Sequence, residues 1–308
     1  MLNKIAAFII ARNGSSRLPG KALLAVNGKS VLEQIYHRIN ASPEIHEVWF
    51  VTSDSKADDS IEELARKLKI NCFRGHREDI VDRMYHACLQ TQCDLIIEVG
   101  GDCPLVDPHL INLGVREFEK SKADFTSNCF FKPFTFPVGY DIVLIKKTAL
   151  MKLHNLAKMQ SERRQPFQYI VRHPEEFKTA HICHHENLNH WRWTLDYPED
   201  LVFMQEIFSR LQPVNEFFDF HMIAGLVRKF PEINSINERY AESLGPSTIW
   251  HTGSYISEMY HDINLLISLA IQSDQERNWK EAMLNYSLAI KYIQDLFERA
   301  EYFDANLK

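Results

Sequence analysis

Three cations, Arg12, Arg17 and Lys21, fall within ten positions near the start of the chain, interleaved with Gly14, Ser15, Ser16 and Gly20. Side chains of this kind hold anions. Guanidinium groups chelate phosphate oxygens in pairs, an ammonium adds a point charge, and backbone N–H groups in a glycine-containing loop supply further donors. The stretch from Ala11 to Lys21 therefore reads as a cradle for a polyanion, with a surface turn of incidental charge as the plainer alternative. The spacing fits neither common phosphate loop. A Walker A loop has four residues between its first Gly and a Gly-Lys pair that is followed by Ser or Thr; here five residues separate Gly14 from Gly20, and Ala22 follows Lys21. No G-x-G-x-x-G follows the opening apolar run, which disfavours a dinucleotide fold. ATPase and dehydrogenase are both demoted.

Two aspartates extend the pattern. Asp102 sits in Gly-Gly-Asp-Cys-Pro and Asp196 in Arg-Trp-Thr-Leu-Asp-Tyr-Pro-Glu-Asp-Leu, each just past an apolar, strand-like run. If both strands point at the cationic loop, the two carboxylates meet where a triphosphate would lie. That is the donor set Mg²⁺ takes: a couple of carboxylate oxygens, with phosphates and waters completing the octahedron. The plainer readings are a helix N-cap for Asp196 and an Asx turn for Asp102. Asp141 lies in a loop shaped by Pro137 and Gly139 at the entry to a strand. His181, His184 and His185 have no matching carboxylate or cysteine spacing and read as a solvated, partly stacked cluster. Arg163, Arg164 and Arg172 on one helix could reach an anionic substrate, although charge on a helix is usually a solvated face.

Positioning these groups requires a sheet. Lys4 to Ile10 is a continuous apolar run suited to a strand buried on both faces. Further strands are expected at Glu47 to Val51, Asn71 to Gly75 and Asp94 to Val99. Helices are expected at Val31 to Ile39 behind a Ser30 N-cap, at Asp59 to Leu68, at Asp79 to Gln90, and after Asp107-Pro108. This alternation implies a doubly wound, mostly parallel α/β sheet covered on both faces. The stretch from Ala123 to Asp196 is more mixed and suggests an inserted lobe closing over the substrate. Strands are expected there near 123–126, 141–145, 178–182 and 191–195, and a helix over 161–172. Helices then follow from Tyr197 and over His221 to Phe230. Residues 1–238 are expected to form one domain. Residues 239–308 read as a linker and a helical extension of two amphipathic helices, which packs on the main domain or on a second subunit. One hairpin resembling a tetratricopeptide unit cannot bury its own face.

With 308 residues, 45% of them hydrophobic and 25% charged, the chain can bury a large core. A net charge of -6 argues against a surface that coats nucleic acid. A cationic pocket in an acidic chain points instead to a small anionic ligand. The six cysteines lack paired zinc spacing and read as reduced thiols. The opening apolar run is too short for a membrane span and has no cleavage site, so a cytoplasmic location is expected.

The ordered motifs resemble one family. The run from Ile10 to Lys21 is similar to the signature of the cytidylyltransferases that activate Kdo and sialic acids, and within them resembles most the spore coat polysaccharide biosynthesis protein F group. Thr52-Ser53-Asp54, Phe73-Arg74-Gly75, Asp79 to Arg83, Gly101 to Leu105, Phe136-Pro137 with Gly139 and Asp141, and Arg192 to Leu201 follow in the family's order. The resemblance implies a nucleotide-diphospho-sugar transferase fold and a reaction of CTP with a sugar acid or sugar phosphate that releases pyrophosphate. It implies triphosphate binding by Arg12, Arg17 and Lys21 within the cradle of Ala11, Gly14, Ser15 and Ser16. It further implies Mg²⁺ on Asp102 and Asp196, and nucleotide- or sugar-side contacts from Arg74 and Asp141. Gly101 stands where the Kdo and sialate enzymes carry Gln.

Two other classes compete with this reading. A glycosyltransferase of related fold would usually present an Asp-x-Asp metal pair, and the sequence contains none. A non-catalytic scaffold acting through the helical tail is disfavoured by the intact set of Arg12, Lys21, Asp102 and Asp196. Expected partners are CTP and a small sugar, with a homodimer through the tail as a further expectation and no nucleic acid or membrane.

Overall fold

The computed structural model describes residues 4–241, 253–275 and 278–306. In chain order the first half comprises β1 (Ile5–Ile10), a short hairpin of β2 (Ala25–Val26) and β3 (Lys29–Ser30), α1 (Val31–Asn40), β4 (Glu47–Ser53), α2 (Asp59–Leu68), β5 (Asn71–Gly75), α3 (Ile80–Gln90), β6 (Leu95–Gly100) and α4 (Pro108–Ser121). Next come β7 (Phe125–Ser127), β8 (Val143–Lys146), α5 (Lys147–Leu156), α6 (Gln160–Arg164), α7 (Gln168–Arg172) and β9 (Thr179–His181). The chain ends with α8 (Pro198–Leu211), α9 (Phe220–Lys229), α10 (Pro231–Asn234), α11 (Gly253–Gln275) and α12 (Trp279–Asn306).

Seven strands form one sheet in the order β5-β4-β1-β6-β8-β7-β9. Only β8 runs against its neighbours β6 and β7; the pairs β1–β4, β1–β6, β4–β5 and β7–β9 are parallel. The apolar run of β1 explains its central place. Successive side chains of a strand point to opposite faces, and Ala7 and Ile9 enter one core while Ala6 and Phe8 enter the other. Residues of α1, α4, α8 and α9 cover the first face, and residues of α3, α5 and α7 cover the second. Because β1, β4, β5 and β6 are parallel, their carboxyl ends share one edge, and the loops that carry the candidate residues open there.

Local signals account for the helix starts. The Ser30 hydroxyl accepts the Glu33 N–H at 3.2 Å. The Asp107 carboxylate accepts the His109 N–H at 2.7 Å, with Pro108 at the first helical position, where a missing N–H is harmless. Three expectations need correction. The single helix over 161–172 is two short helices, because Pro166 removes a backbone donor and cannot continue α6. Residues 191–195 are not a sheet strand. They bond instead to two loops: Val138 exchanges backbone bonds of 2.9 and 2.7 Å with Trp191 and Trp193, and the Leu195 N–H donates to the Asp102 carbonyl at 2.9 Å. Gly139 has φ of +90°, and a Cβ there would stand 2.4 Å from the Thr194 nitrogen, so only glycine permits this approach. Lastly, β7, β8 and β9 extend the main sheet instead of building a separate lobe.

The α11–α12 hairpin has a small core of Ile263, Leu266, Ala289 and Tyr292, against which Met159 of the segment before α6 packs. All six cysteines are free. Among the described residues no helix is long and apolar enough to cross a membrane.

Candidate active site

The carboxyl edge of the sheet opens into a cleft of about 780 Å³, bounded by the 11–17 loop, Lys21, the ends of β1 and β6, the 77–83 segment, the α6–α7 junction and the Asp196–Tyr197 turn. A cleft of this volume lies within the range that small-molecule ligands occupy. The 11–20 loop is pinned from outside by Asn13, whose N–H donates to Asp58 at 2.7 Å and whose amide donates to the Ala57 carbonyl at 2.8 Å. Its far end closes on itself, the Gly20 N–H reaching the Asn13 carbonyl at 3.3 Å. Gly101 lets the end of β6 approach the loop: a Cβ there would meet the Ala11 Cβ at 2.7 Å and the Ile10 carbonyl at 2.9 Å. Ala11 is thus a contact of the loop with the sheet as well as part of the cleft wall.

The two aspartates and the loop cations meet. Lys21 donates to Asp102 and to Asp196, each at 2.8 Å, and Arg17 reaches the same Asp196 oxygen at 2.9 Å while its guanidinium lies 5.1 Å from the Tyr197 ring centroid. Burial alone would lower the Lys21 ammonium, but the two carboxylates more than reverse this and hold its pKa above the ordinary value. Burial likewise pushes Asp196 upward, and Lys21, Arg17 and Arg192 overcome it, leaving the carboxyl below its usual range. The second Asp196 oxygen is buried without a hydrogen bond, with the Arg192 guanidinium 3.5 Å away. Two carboxylates joined through Lys21, one with an oxygen that makes no hydrogen bond, form a donor set that a hard cation can take.

The Asp196 turn is held by a residue that the sequence reading did not single out. Asp200 accepts from the Asp196 and Tyr197 N–H groups at 2.8 and 2.9 Å, from Arg192 through two bonds of 2.7 Å, and from Asn237 at 2.9 Å. Two of these bonds hold the Asp196–Tyr197 turn, and the other three anchor Asp200 to Arg192 and Asn237. Its signal was present as an acid in the first turn after Tyr197-Pro198, a position that favours helix initiation.

Arg12 faces the cleft from the other side of the loop. It pairs with Glu78 at 3.2 Å, and Glu78 also pairs with Arg77 at 3.2 Å and Arg164 at 3.4 Å. Burial would raise the Glu78 carboxyl, but Arg12, Arg164 and Arg77 outweigh it and bring its pKa below the ordinary value. Arg164 therefore lies in the cleft. Arg163 is tied to Asp79 at 2.8 Å, and Arg172 to Glu162 at 3.7 Å. Gly14, Ser15 and Ser16 all line the cleft.

Two sequence-derived candidates fall elsewhere. Arg74 is outside the cleft lining and turns toward α2, pairing with Asp59 at 2.7 Å and Glu62 at 2.8 Å and donating to the Ser53 and Ser55 carbonyls. It clasps β4 and β5 to α2. Asp141 sits just before β8 and outside the cleft lining, to which Glu98 of β6 belongs. Burial, then the negative charge of Asp102, pushes Asp141 up to about 7; burial, then Asp102 and Asp141, pushes Glu98 up to about 8. Glu98 was missed because one acid inside an apolar strand carries no motif. The histidines separate: His181 bonds the Ser127 and Pro133 carbonyls, whereas His184, His185 and Glu186 bring potential ligand atoms within 4.8 Å of one another on the surface. Glu186 there is already paired with Arg228.

Residues 6–235 match the family described as cytidylyltransferase. The chain belongs to this family. It is therefore an enzyme of the nucleotidyltransferase class, with a cationic loop and two aspartates facing one cleft. It is 30% identical over 236 residues to an uncharacterised protein of Methanocaldococcus jannaschii, covering 76% of this chain and 94% of that one. It is 25% identical over 216 residues to the spore coat polysaccharide biosynthesis protein SpsF of Bacillus subtilis, covering 68% and 88%. Among solved structures, a cytidylyltransferase from Leptospira borgpetersenii superposes with a TM-score of 0.71 at 29% identity, over 75% of this chain and 96% of that one.

Proposed function

We propose that this cytidylyltransferase couples CTP to a sugar acid or sugar phosphate with release of pyrophosphate, uses Mg²⁺, and serves surface polysaccharide or glycan synthesis. The observation that carries the reading is the meeting of Lys21 with Asp102 and Asp196 at 2.8 Å each, beside Arg17 and within one cleft with Arg12. An acceptor oxygen would form a bond to the α-phosphorus of CTP while the bond to the pyrophosphate oxygen breaks. Negative charge then grows on the leaving pyrophosphate, where prepositioned cations act most strongly. Arg12, Arg17 and Lys21 would take that charge, with N–H groups around Gly14, Ser15 and Ser16 adding donors. Asp102 and Asp196 would hold Mg²⁺, which when bound neutralises phosphate charge and orients the chain of phosphates. Lys21 would then exchange carboxylate contacts for phosphate ones. The family membership, the name of SpsF and the free thiols support a polysaccharide-precursor enzyme of the cytoplasm.

A panel of CTP, UTP, ATP and GTP, each with MgCl₂, tests the assignment by thermal shift, since a ligand that binds only the folded state raises its stability. CTP is expected to give the largest rise. Equal rises for all four would remove the cytosine preference.

A further inference from the structure

The α11–α12 hairpin lies beyond the region shared with the family, which ends at residue 235, yet buried polar contacts tie it to the cleft wall. The five-residue α6 starts behind Met159, whose side chain makes no capping hydrogen bond. A helix start without a cap leaves backbone donors open. Asp262 of α11 supplies the missing acceptor, taking the Ser161 N–H at 3.1 Å from a position 1% exposed. Glu162, also buried, accepts the Lys158 and Met159 N–H groups with one oxygen, at 3.2 and 3.3 Å, and the Tyr292 phenol of α12 with the other. Arg172 stacks on the Tyr292 ring at 4.4 Å. At its other end α6 presents Arg164, which shares Glu78 with Arg12.

We propose that the α11–α12 hairpin is a positioning element for the nucleotide site. Asp262 and Tyr292 fix α6, so that Arg164 shares the Glu78 carboxylate with Arg12 and weakens its hold on that guanidinium, which the triphosphate can then displace. When α6 loosens, Arg164 departs, the Glu78 carboxylate settles more fully on Arg12, and it competes with the phosphates of CTP. The nucleotide half of this inference rests on the reading of the cleft given above; the brace itself does not.

The test uses the full chain and its Tyr292→Phe, Asp262→Ala and Tyr292→Phe/Glu78→Gln variants, with Lys280→Ala, an exposed tail position, as control. Hydrogen exchange over residues 160–167 is expected to quicken in the two single variants and not in the control. Titration with CTP and MgCl₂ by calorimetry is expected to give a Kd weakened about threefold to tenfold, the scale of one net hydrogen bond. Adding Glu78→Gln should restore it. Unchanged exchange in both single variants overturns the brace. Faster exchange with unchanged Kd, or no recovery in the double variant, overturns the positioning role. If the wild-type chain binds no CTP, the reading of the cleft falls instead, and exchange still decides whether the hairpin holds α6.

Discussion

The Lys21 ammonium lies 2.8 Å from the Asp196 carboxylate, a contact between residues 175 positions apart in sequence. It joins the loop after β1 to the turn before α8, and through Asp102 it also reaches the end of β6. Two loops of the sheet edge and the turn before α8 are thereby fixed around one point. The charges proposed to bind the triphosphate also hold one another, because a buried carboxylate without its cation is costly.

Replacing Lys21 with Met should therefore act twice. Loss of a cation facing the leaving pyrophosphate is expected to lower kcat by about a hundredfold to a thousandfold, the cost of losing one preorganised donor to a developing anion. Asp102 would also lose its Lys21 partner, and Asp196 would keep only Arg17 and Arg192, so the melting temperature should fall. A variant with wild-type kcat would remove Lys21 from the reaction.

Arg74 spends its donors on Asp59, Glu62 and two carbonyls away from the cleft. Arg74→Ala is expected to cost about 1 kcal/mol of stability, as a partly exposed ion-pair cluster would, and to leave the KM for CTP within about twofold of wild type. Urea denaturation and steady-state kinetics check the two halves. A large rise in KM with unchanged stability would return Arg74 to the nucleotide.

Gly101 offers a steric test of how closely the loop and sheet must approach. Gly101→Ala puts a methyl group 2.7 Å from the Ala11 Cβ and 2.9 Å from a backbone oxygen. The loop must shift, with a loss of about 1–3 kcal/mol on the scale of overpacked cores and weaker CTP binding. Thermal melting and a CTP titration would both register it; an unaffected variant would show that the loop yields freely.

Glu98 sets a pH signature. Its pKa is raised to about 8 by burial and by Asp102 and Asp141, against about 4.3 in an unfolded chain. A raised carboxyl contributes stability that is full below the unfolded pKa and is lost as pH rises through the folded one. Without Mg²⁺, unfolding free energy should thus decline between about pH 4 and pH 8 by this group's share, and Glu98→Gln should flatten that decline. Denaturant titrations at several pH values measure it. Identical slopes for the two proteins would contradict it.

Much of the fold was legible because it rests on local rules. The apolar runs of β1, β4 and β6, the Ser30 and Asp107 caps and the strand–helix alternation are written in consecutive residues. The candidate site was legible where charge and glycine stand in one loop, as from Arg12 to Lys21, or where an acid follows a strand, as with Asp102 and Asp196. What escaped depends on tertiary meetings. Arg74 faces α2 because Asp59 and Glu62 wait there, and Glu98 joins the cleft lining only once β6 and β8 pair. Glu78 and Arg164, 86 positions apart, acquire a role only through their shared contact with Arg12.

The most direct measurement is pyrophosphate release by the purified full chain from CTP, UTP, ATP and GTP, with and without MgCl₂, across a panel of sugar acids and sugar phosphates. The account predicts release from CTP with at least one such acceptor, dependent on Mg²⁺ and abolished by Asp102→Ala or Asp196→Ala in folded protein. Release that persists in both variants, or none from CTP with any acceptor, would contradict it.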